Sequence, residues 1–387
     1  MGEKNNGCDV SITSCFDYSE KEAERAMREV LEPIGGLCWI EKGMKIVIKA
    51  NLVSMLKPDS AATTHPALIC ALTRLLKEKG AEVIIGDSPG GIYTSPYLAA
   101  VYSATGMRSA EKCGAQLNRD FSQAEANFPL AKVAKNFVYT SYLDKADAII
   151  NFCKLKTHGM MAMSAAAKNM FGTIPGTIKP EYHYKYSNPE DFAGMIVDLN
   201  EYFKPRLNIV DAVIGMEGNG PTMGKPRYIG AILASPSPHK LDIACARLIG
   251  LSIEEIPTLK EALRRELIDE DFSKLKISGN LEQFIIPDFD NIGTRNSIEF
   301  LNRRGPVAAF LKKALTSIPK VKKSDCVGCK KCAEICPAHA IKMENRVPNI
   351  NRKICIRCFC CQEFCPKGAM KVHRTWIARA LNRNGGN

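Results

Sequence analysis

The chain has 387 residues, 45% of them hydrophobic and 24% charged, which is the balance of an ordinary globular protein and enough for about two or three domains with cores of their own. It has no apolar run of about 18 residues and opens on Met-Gly-Glu-Lys-Asn-Asn, so neither a membrane-spanning helix nor an apolar signal core is expected, and the expectation is a cytoplasmic protein. The net charge of +12 is uneven: residues 303–387 hold 19 basic and 4 acidic side chains, and the remainder holds 34 and 37.

In chain order, residues 9–15 read as a strand. Ser19-Glu-Lys-Glu22 has the N-cap and N3 glutamate of a capping box, opening a helix to about Leu31. Residues 45–51 are a short apolar strand. Residues 64–79 read as a helix, with Leu68, Ile69, Leu72, Leu75 and Leu76 at helical spacing and Gly80 as its stop. His65 before Pro66 reads first as the opening of that helix. Residues 81–86 are the next strand, so strand, helix and strand form a βαβ unit and imply a parallel sheet. Further strands are expected at 146–152, 207–214 and 229–234, and helices at 191–203, capped by Asn188, and at 241–248. A charged helix near 259–267, a strand near 283–286 and an amphipathic helix at 306–317 complete the text before the cysteines. Beyond them the spacing C-x2-C-x2-C-x3-C-P occurs twice, at 326–337 and 355–366, so the fold class is α/β, a mainly parallel sheet flanked by helices, followed by a small α+β dicluster ferredoxin-like domain. The expected division is an α/β domain over 1–300, a basic helical linker over 301–324, a ferredoxin domain over 325–374 and a basic tail over 375–387.

In open parallel sheets, chemistry gathers in the loops that leave the carboxyl ends of the strands. Here those loops contain Lys49-Ala-Asn51, Gly86-Asp-Ser-Pro-Gly-Gly91, Lys154-Leu-Lys-Thr-His158, Lys168-Asn169 and Lys179, and Glu217-Gly-Asn-Gly-Pro221. Lys49, Lys156, Lys168 and Lys179 on one edge make an electropositive pocket suited to a carboxylate or phosphate. The plain readings are a tight turn at 86–91, a flexible loop at 215–224 and a satisfied core histidine at His158. The 215–224 loop lacks the grammar of a dinucleotide or phosphate loop.

The C-terminal text is sharper. Cys326, Cys329, Cys332 and Cys336-Pro337, and again Cys355, Cys358, Cys361 and Cys365-Pro366, spell C-x2-C-x2-C-x3-C-P. Thiolates at this spacing hold iron with sulfide, and the fourth cysteine of each run serves the other cube. Cluster 1 is expected on Cys326, Cys329, Cys332 and Cys365, and cluster 2 on Cys355, Cys358, Cys361 and Cys336. A zinc site shows two separated Cys/His pairs instead. Cys360 reads as a thiol beside the second cluster, with an alternative ligand as the sharper reading. The remaining cysteines are scattered as in a reducing, anaerobic cytoplasm. Part of the local basicity compensates the charge of two cubes, and the surplus suits an acidic soluble electron donor such as ferredoxin or flavodoxin. The module carries no stacking aromatics or nucleic-acid motif, which disfavours nucleic acid as partner.

Lys49-Ala-Asn51, Thr64-His65-Pro66, the 86–91 loop, Lys156-Thr-His158, Lys168-Asn169, Gly172 and Glu217-Gly-Asn-Gly-Pro221 together resemble the domain-of-unknown-function family numbered 362, over about residues 8–250. Members are often fused to a two-cluster ferredoxin, and the resemblance implies an α/β domain in an iron–sulfur redox setting. His158, Ser164 and Lys168 also repeat a His-x5-Ser-x3-Lys spacing similar to the nickel-pincer lactate racemase family, where such a lysine holds the cofactor and the histidine moves a proton. Ala165-Ala-Ala167 replaces the glycines of that family, so its nickel cofactor is not carried over.

The expected function is electron transfer through two [4Fe-4S] clusters to a small anionic substrate, or to an unidentified further cofactor, in the α/β domain. This would make the protein a ferredoxin-linked oxidoreductase. Lys49, Asn51, Lys156, Asn169, Lys179, Gly218 and Gly220 are the binding candidates. His158, Lys168, Asp87 and Glu217 are the catalytic ones, with His158 as proton carrier near neutral pH and Asp87 and Glu217 orienting it or binding a metal. The alternatives are a carrier or docking protein without catalysis, and a racemase- or lyase-like enzyme with structural clusters.

Overall fold

The computed structural model describes residues 7–291 and 317–373. The expected helix at 306–317 lies outside them except for Ser317, as does the basic tail. Among the described residues, β1 (Val10–Ser14), β2 (Lys45–Lys49), β3 (Glu82–Gly86), β4 (Gln116–Leu117), β7 (Ala148–His158), β8 (Ala162–Ser164), β9 (Leu207–Glu217), β10 (Lys225–Ser235) and β11 (Ile277–Ser278) form one sheet. Its order is β11-β1-β10-β9-β7-β2-β3-β4, with β8 folded back on β7. A separate hairpin pairs β5 (Gln123–Asn127) with β6 (Asn136–Thr140).

The strands β9, β7, β2, β3 and β4 run parallel, so their carboxyl ends share one edge. The period-2 pleat sorts their side chains: Ile46 and Ile48 of β2 enter one core and Val47 the other. Helices Glu20–Leu31 and Pro66–Glu78 cover the first face. Helices Pro189–Phe203, Pro238–Leu248 and Pro257–Arg264 cover the second. All five expected apolar positions of Pro66–Glu78 are buried, and truncating one such leucine to alanine costs about 2–5 kcal/mol. His65 is the N-cap, its Nδ1 accepting from Ala67 N at 3.3 Å. Asn188 caps Pro189–Phe203 by accepting from Asp191 N.

Several expectations need correcting. The Ser19 side chain makes no cap bond; Glu22 is drawn off by Phe16 N and Arg25. Residues 154–158 are not a loop, because β7 continues to His158 with β8 beside it. β9 likewise continues to Glu217 and turns into the antiparallel β10. The stretch near 283–286 is a 3-10 turn, Leu281–Phe284, rather than a strand.

The C-terminal module is small. β12 (Ile318–Val321), inside the stretch expected as linker, pairs with β15 (Met370–His373), and β13 (Ile341–Glu344) pairs with β14 (Val347–Ile350). Its two halves repeat 29 residues apart, Cys326 matching Cys355 and Cys336 matching Cys365. The backbone repeats with them: Lys330 and Phe359 are both left-handed, at φ 66° and 63°, and each opens a short helix, Lys331–Glu334 and Cys360–Glu363.

Candidate functional site

A cavity of about 650 Å³ lies between the carboxyl edge of the sheet and the C-terminal module. Its wall includes Lys49, Asn51, Asp87, Lys156, His158, Lys168, Asn169 and Lys179, which the sequence placed on four separate stretches. Ser164 of β8 joins them. Two further wall residues had no sequence signal of their own: His183, and Glu363 of the C-terminal module.

The floor is a buried polar network with few spare donors. Lys49 Nζ donates to Asp87 Oδ1 at 2.6 Å, Asn169 Oδ1 at 3.1 Å and Ala50 O at 2.8 Å, which uses all three ammonium hydrogens. Asp87 Oδ2 accepts from Leu52 N. Asn51 bridges Asn169 and Lys156, its Nδ2 donating to the first and its Oδ1 accepting from the second at 2.7 Å. Lys49 and Asp87 therefore hold the floor in shape instead of reaching for a ligand. Gly172 is required here: a Cβ would lie 2.2 Å from both Asp87 Oδ1 and Lys49 Nζ.

Lys156 and Lys179 each spend two donors, on Asn51 and Ala62 O and on Ser88 O and Ile174 O, and keep one. Burial brings both amines down to about 7. Lys168 differs: its Nζ has no hydrogen-bond or ion-pair partner among the described residues. It sits 4.7 Å from the Phe171 ring centroid and 5.6 Å from that of Phe192. Burial pushes its amine down, opposed by the charge of Glu363.

His158 Nδ1 accepts from Met160 N and Met161 N, so the ring proton sits on Nε2. Nε2 stands 3.2 Å from Glu363 Oε1. The pair is close without being aligned as a full hydrogen bond, since both atoms also lack a well-directed partner. Burial pushes the His158 imidazole below its ordinary value, although Glu363 opposes this; it is thus a neutral N–H donor at pH 7 rather than a buffer there. His183 stacks on Phe192, with centroids 4.5 Å apart, and its buried Nδ1 is unpartnered.

Glu217, Gly218 and Gly220 do not line the cavity. Glu217 Oε2 accepts from Asp290 N, and Gly220 lies against Thr157, where a Cβ would meet the carbonyl at 2.2 Å. Nor do Asp87 and Glu217 meet to bind a metal: among the described residues no three Cys, His, Asp or Glu side chains converge on an ion-sized point. The loop they begin docks the C-terminal module. Asn219 O and Gly220 O accept from Gln362 Nε2, Asn219 Oδ1 accepts from Val372 N, and Thr222 Oγ1 donates to Glu363 O. Phe359 joins the core of the α/β domain, against Gly159.

The cysteines fall into two groups. Cys326, Cys329, Cys332 and Cys365 border one small cavity, and Cys336, Cys355, Cys358 and Cys361 border another. Cys336 Sγ and Cys365 Sγ, at matching places in the two halves, each accept a backbone N–H at 3.2 Å, from Ala340 and Ala369. Thiol sulfurs around a cavity, with amides aimed at them, suit an iron–sulfur cube. Cys360 is buried and borders neither cavity. Cys365 borders the first sulfur-lined cavity and the large one as well.

Two family profiles match the chain. The profile of a domain of unknown function, DUF362, matches residues 46–247, and that of a 4Fe-4S dicluster domain matches residues 318–366. The chain is therefore an iron–sulfur protein. It is 29% identical over 257 residues to the "Thylakoid-associated protein sll1697" of Synechocystis sp., across 65% of this chain and 77% of that one. The lactate racemase apoprotein of Thermoanaerobacterium thermosaccharolyticum aligns at a TM-score of 0.41 and 12% identity, over 66% of this chain and 59% of that one. A Thermotoga maritima protein aligns at 0.34 and 13%, over 54% and 53%. The chain spans less than two thirds of either solved protein, and neither likeness is close enough to inform the chemistry. No helix of the described residues is long and apolar enough to cross a membrane.

Proposed function

The chain belongs to the DUF362 family, and on that premise we propose that it is a redox protein in which electrons pass through two [4Fe-4S] clusters to a small anion held in the large cavity. Cys326, Cys329, Cys332 and Cys365 would hold one cluster and Cys336, Cys355, Cys358 and Cys361 the other. When bound, the clusters supply one-electron transfer. Lys168, with the spare donors of Lys156 and Lys179, attracts and seats the anion. His158 presents its Nε2 proton to the cavity, and Glu363 keeps that ring in place from the opposite wall. Asn51, Asn169, Lys49 and Asp87 hold these groups at fixed positions.

The observation that carries the reading is the position of Cys365, which borders both the first sulfur-lined cavity and the anion cavity. Fusion of the two domains removes a docking step. The basic surface of the module, with Lys322, Lys323, Lys330 and Lys353 exposed, suits an acidic soluble donor in an anaerobic cytoplasm.

The test is anaerobic stopped-flow. Chemically reduced protein should be reoxidised faster by fractions of small organic anions than by buffer, and Lys168→Met with full iron content should lose that acceleration. Equal rates in both proteins with every fraction would leave a carrier or docking protein without catalysis.

A further inference from the structure

The large cavity has two chemically distinct parts. The cations and imidazoles described above occupy its inner wall, where His158 is 1%, His183 3% and Lys168 9% exposed. Met55, Leu56, Ile92, Met223, Ile335 and Phe364 also line it. Met55 and Ile92 are 48% and 61% exposed, so this apolar part reaches solvent at the mouth. It draws on three loops of the α/β domain and on both halves of the C-terminal module. Single exposed apolar residues are ordinary on a protein surface, but six apolar side chains lining one cavity, two of them exposed at its mouth, form a surface that gains by being covered. The charged residues near it, Lys331 and Glu334, are opposite in sign.

Resting on the reading of the cavity as an anion site, we infer that its ligand is amphipathic: a carboxylate head seated on the inner cations, with an apolar body of several carbons lying against the mouth. Three observations set the head. His158 Nε2 and His183 Nδ1 are buried without a well-directed partner, Lys168 Nζ has no hydrogen-bonded partner among the described residues, and all three residues line the cavity. Asp87 already offsets Lys49 at 2.6 Å, so the surplus charge is modest. Glu363 faces His158 at 3.2 Å and repels a dianion, which favours a carboxylate over a phosphate monoester. The volume of about 650 Å³ is far more than a two- or three-carbon acid fills and lies within the range of cavities that enclose larger organic ligands.

The experiment is calorimetry on the full-length, cluster-loaded protein under anaerobic conditions. The probes are acetate, butyrate, hexanoate, benzoate, benzamide and phenyl phosphate. Affinity should rise about fourfold per methylene covered, from acetate to hexanoate. Benzoate should bind at least tenfold more tightly than benzamide and than phenyl phosphate. Met55→Lys and Ile92→Lys change exposed side chains and should flatten the chain-length series, with iron content and melting temperature confirming the fold. Affinity independent of chain length, or tightest for phenyl phosphate, would overturn this inference while leaving the anion site intact. Binding of no carboxylate at all, with Lys168→Met indistinguishable from the parent, would overturn the anion site too. If either lysine variant lost its clusters, the ligand series on the parent protein would still decide.

Discussion

His158 of the α/β domain and Glu363 of the C-terminal module face each other across the domain boundary, Nε2 to Oε1 at 3.2 Å. The cavity is thus shared between domains: one supplies the imidazole, the other a carboxylate that faces its N–H side. Replacing Glu363 with leucine should slow reoxidation by a bound anion by tenfold or more, without loss of iron. Glutamine, whose amide oxygen still accepts, should be milder. Stopped-flow absorbance and iron assay together check this.

Two buried lysines should respond oppositely to removal. Lys49→Met strands Asp87 as an unpaired buried carboxylate, its partner at 2.6 Å gone. It should cost about 3–5 kcal/mol of stability. Lys168→Met removes an ammonium with no hydrogen-bonded partner and should leave stability within about 1 kcal/mol while weakening anion binding at least tenfold. Chemical denaturation and calorimetry on both variants separate the two roles.

Anion affinity should depend on pH in a definite direction. Lys156 and Lys179 are drawn down to about 7 by burial, so both are charged below that pH and neutral above it. Affinity for a carboxylate should therefore be highest near pH 6 and fall several-fold by pH 8.5. Bound anion should itself raise both amines and shift the midpoint upward. Binding titrations across this range, at constant ionic strength, provide the check.

Docking of the module depends on close approach at Gly159, where a Cβ would lie 3.2 Å from Val372 Cγ2 and 3.3 Å from Phe359 Cγ. Gly159→Leu should force the domains apart. Hydrogen exchange should then rise at Val372, whose backbone N–H reaches Asn219 Oδ1, while the iron content stays whole.

The cysteine quartets were legible because cluster ligation is written in local spacing, and Lys49 and Lys156 because they sit at or near the carboxyl ends of β2 and β7, whereas Lys168 and Lys179 lie on short helices beyond β8. What the sequence did not disclose came from tertiary approach. Glu363 sits among cysteines and reads as part of their helix until the module docks. His183 lies in an aromatic stretch with no periodic signal, and its place beside Phe171 and Phe192 depends on helix Pro189–Phe203 packing behind it. Glu217 was misread because β9 runs three residues past its apolar text, which turns that side chain toward Asp290. Lys49 and Asp87 were correctly placed at strand ends, but their mutual neutralisation is a distance that sequence does not encode.

On this reading an anion in the large cavity lies beside one cluster and not the other. Anaerobic redox titration with and without saturating benzoate, followed by electron paramagnetic resonance, distinguishes the two clusters. The bound negative charge should lower one of two reduction potentials, on the order of tens of millivolts, leave the other unmoved, and move neither in Lys168→Met. Potentials that stay fixed, or that move together and equally in the variant, would contradict the account.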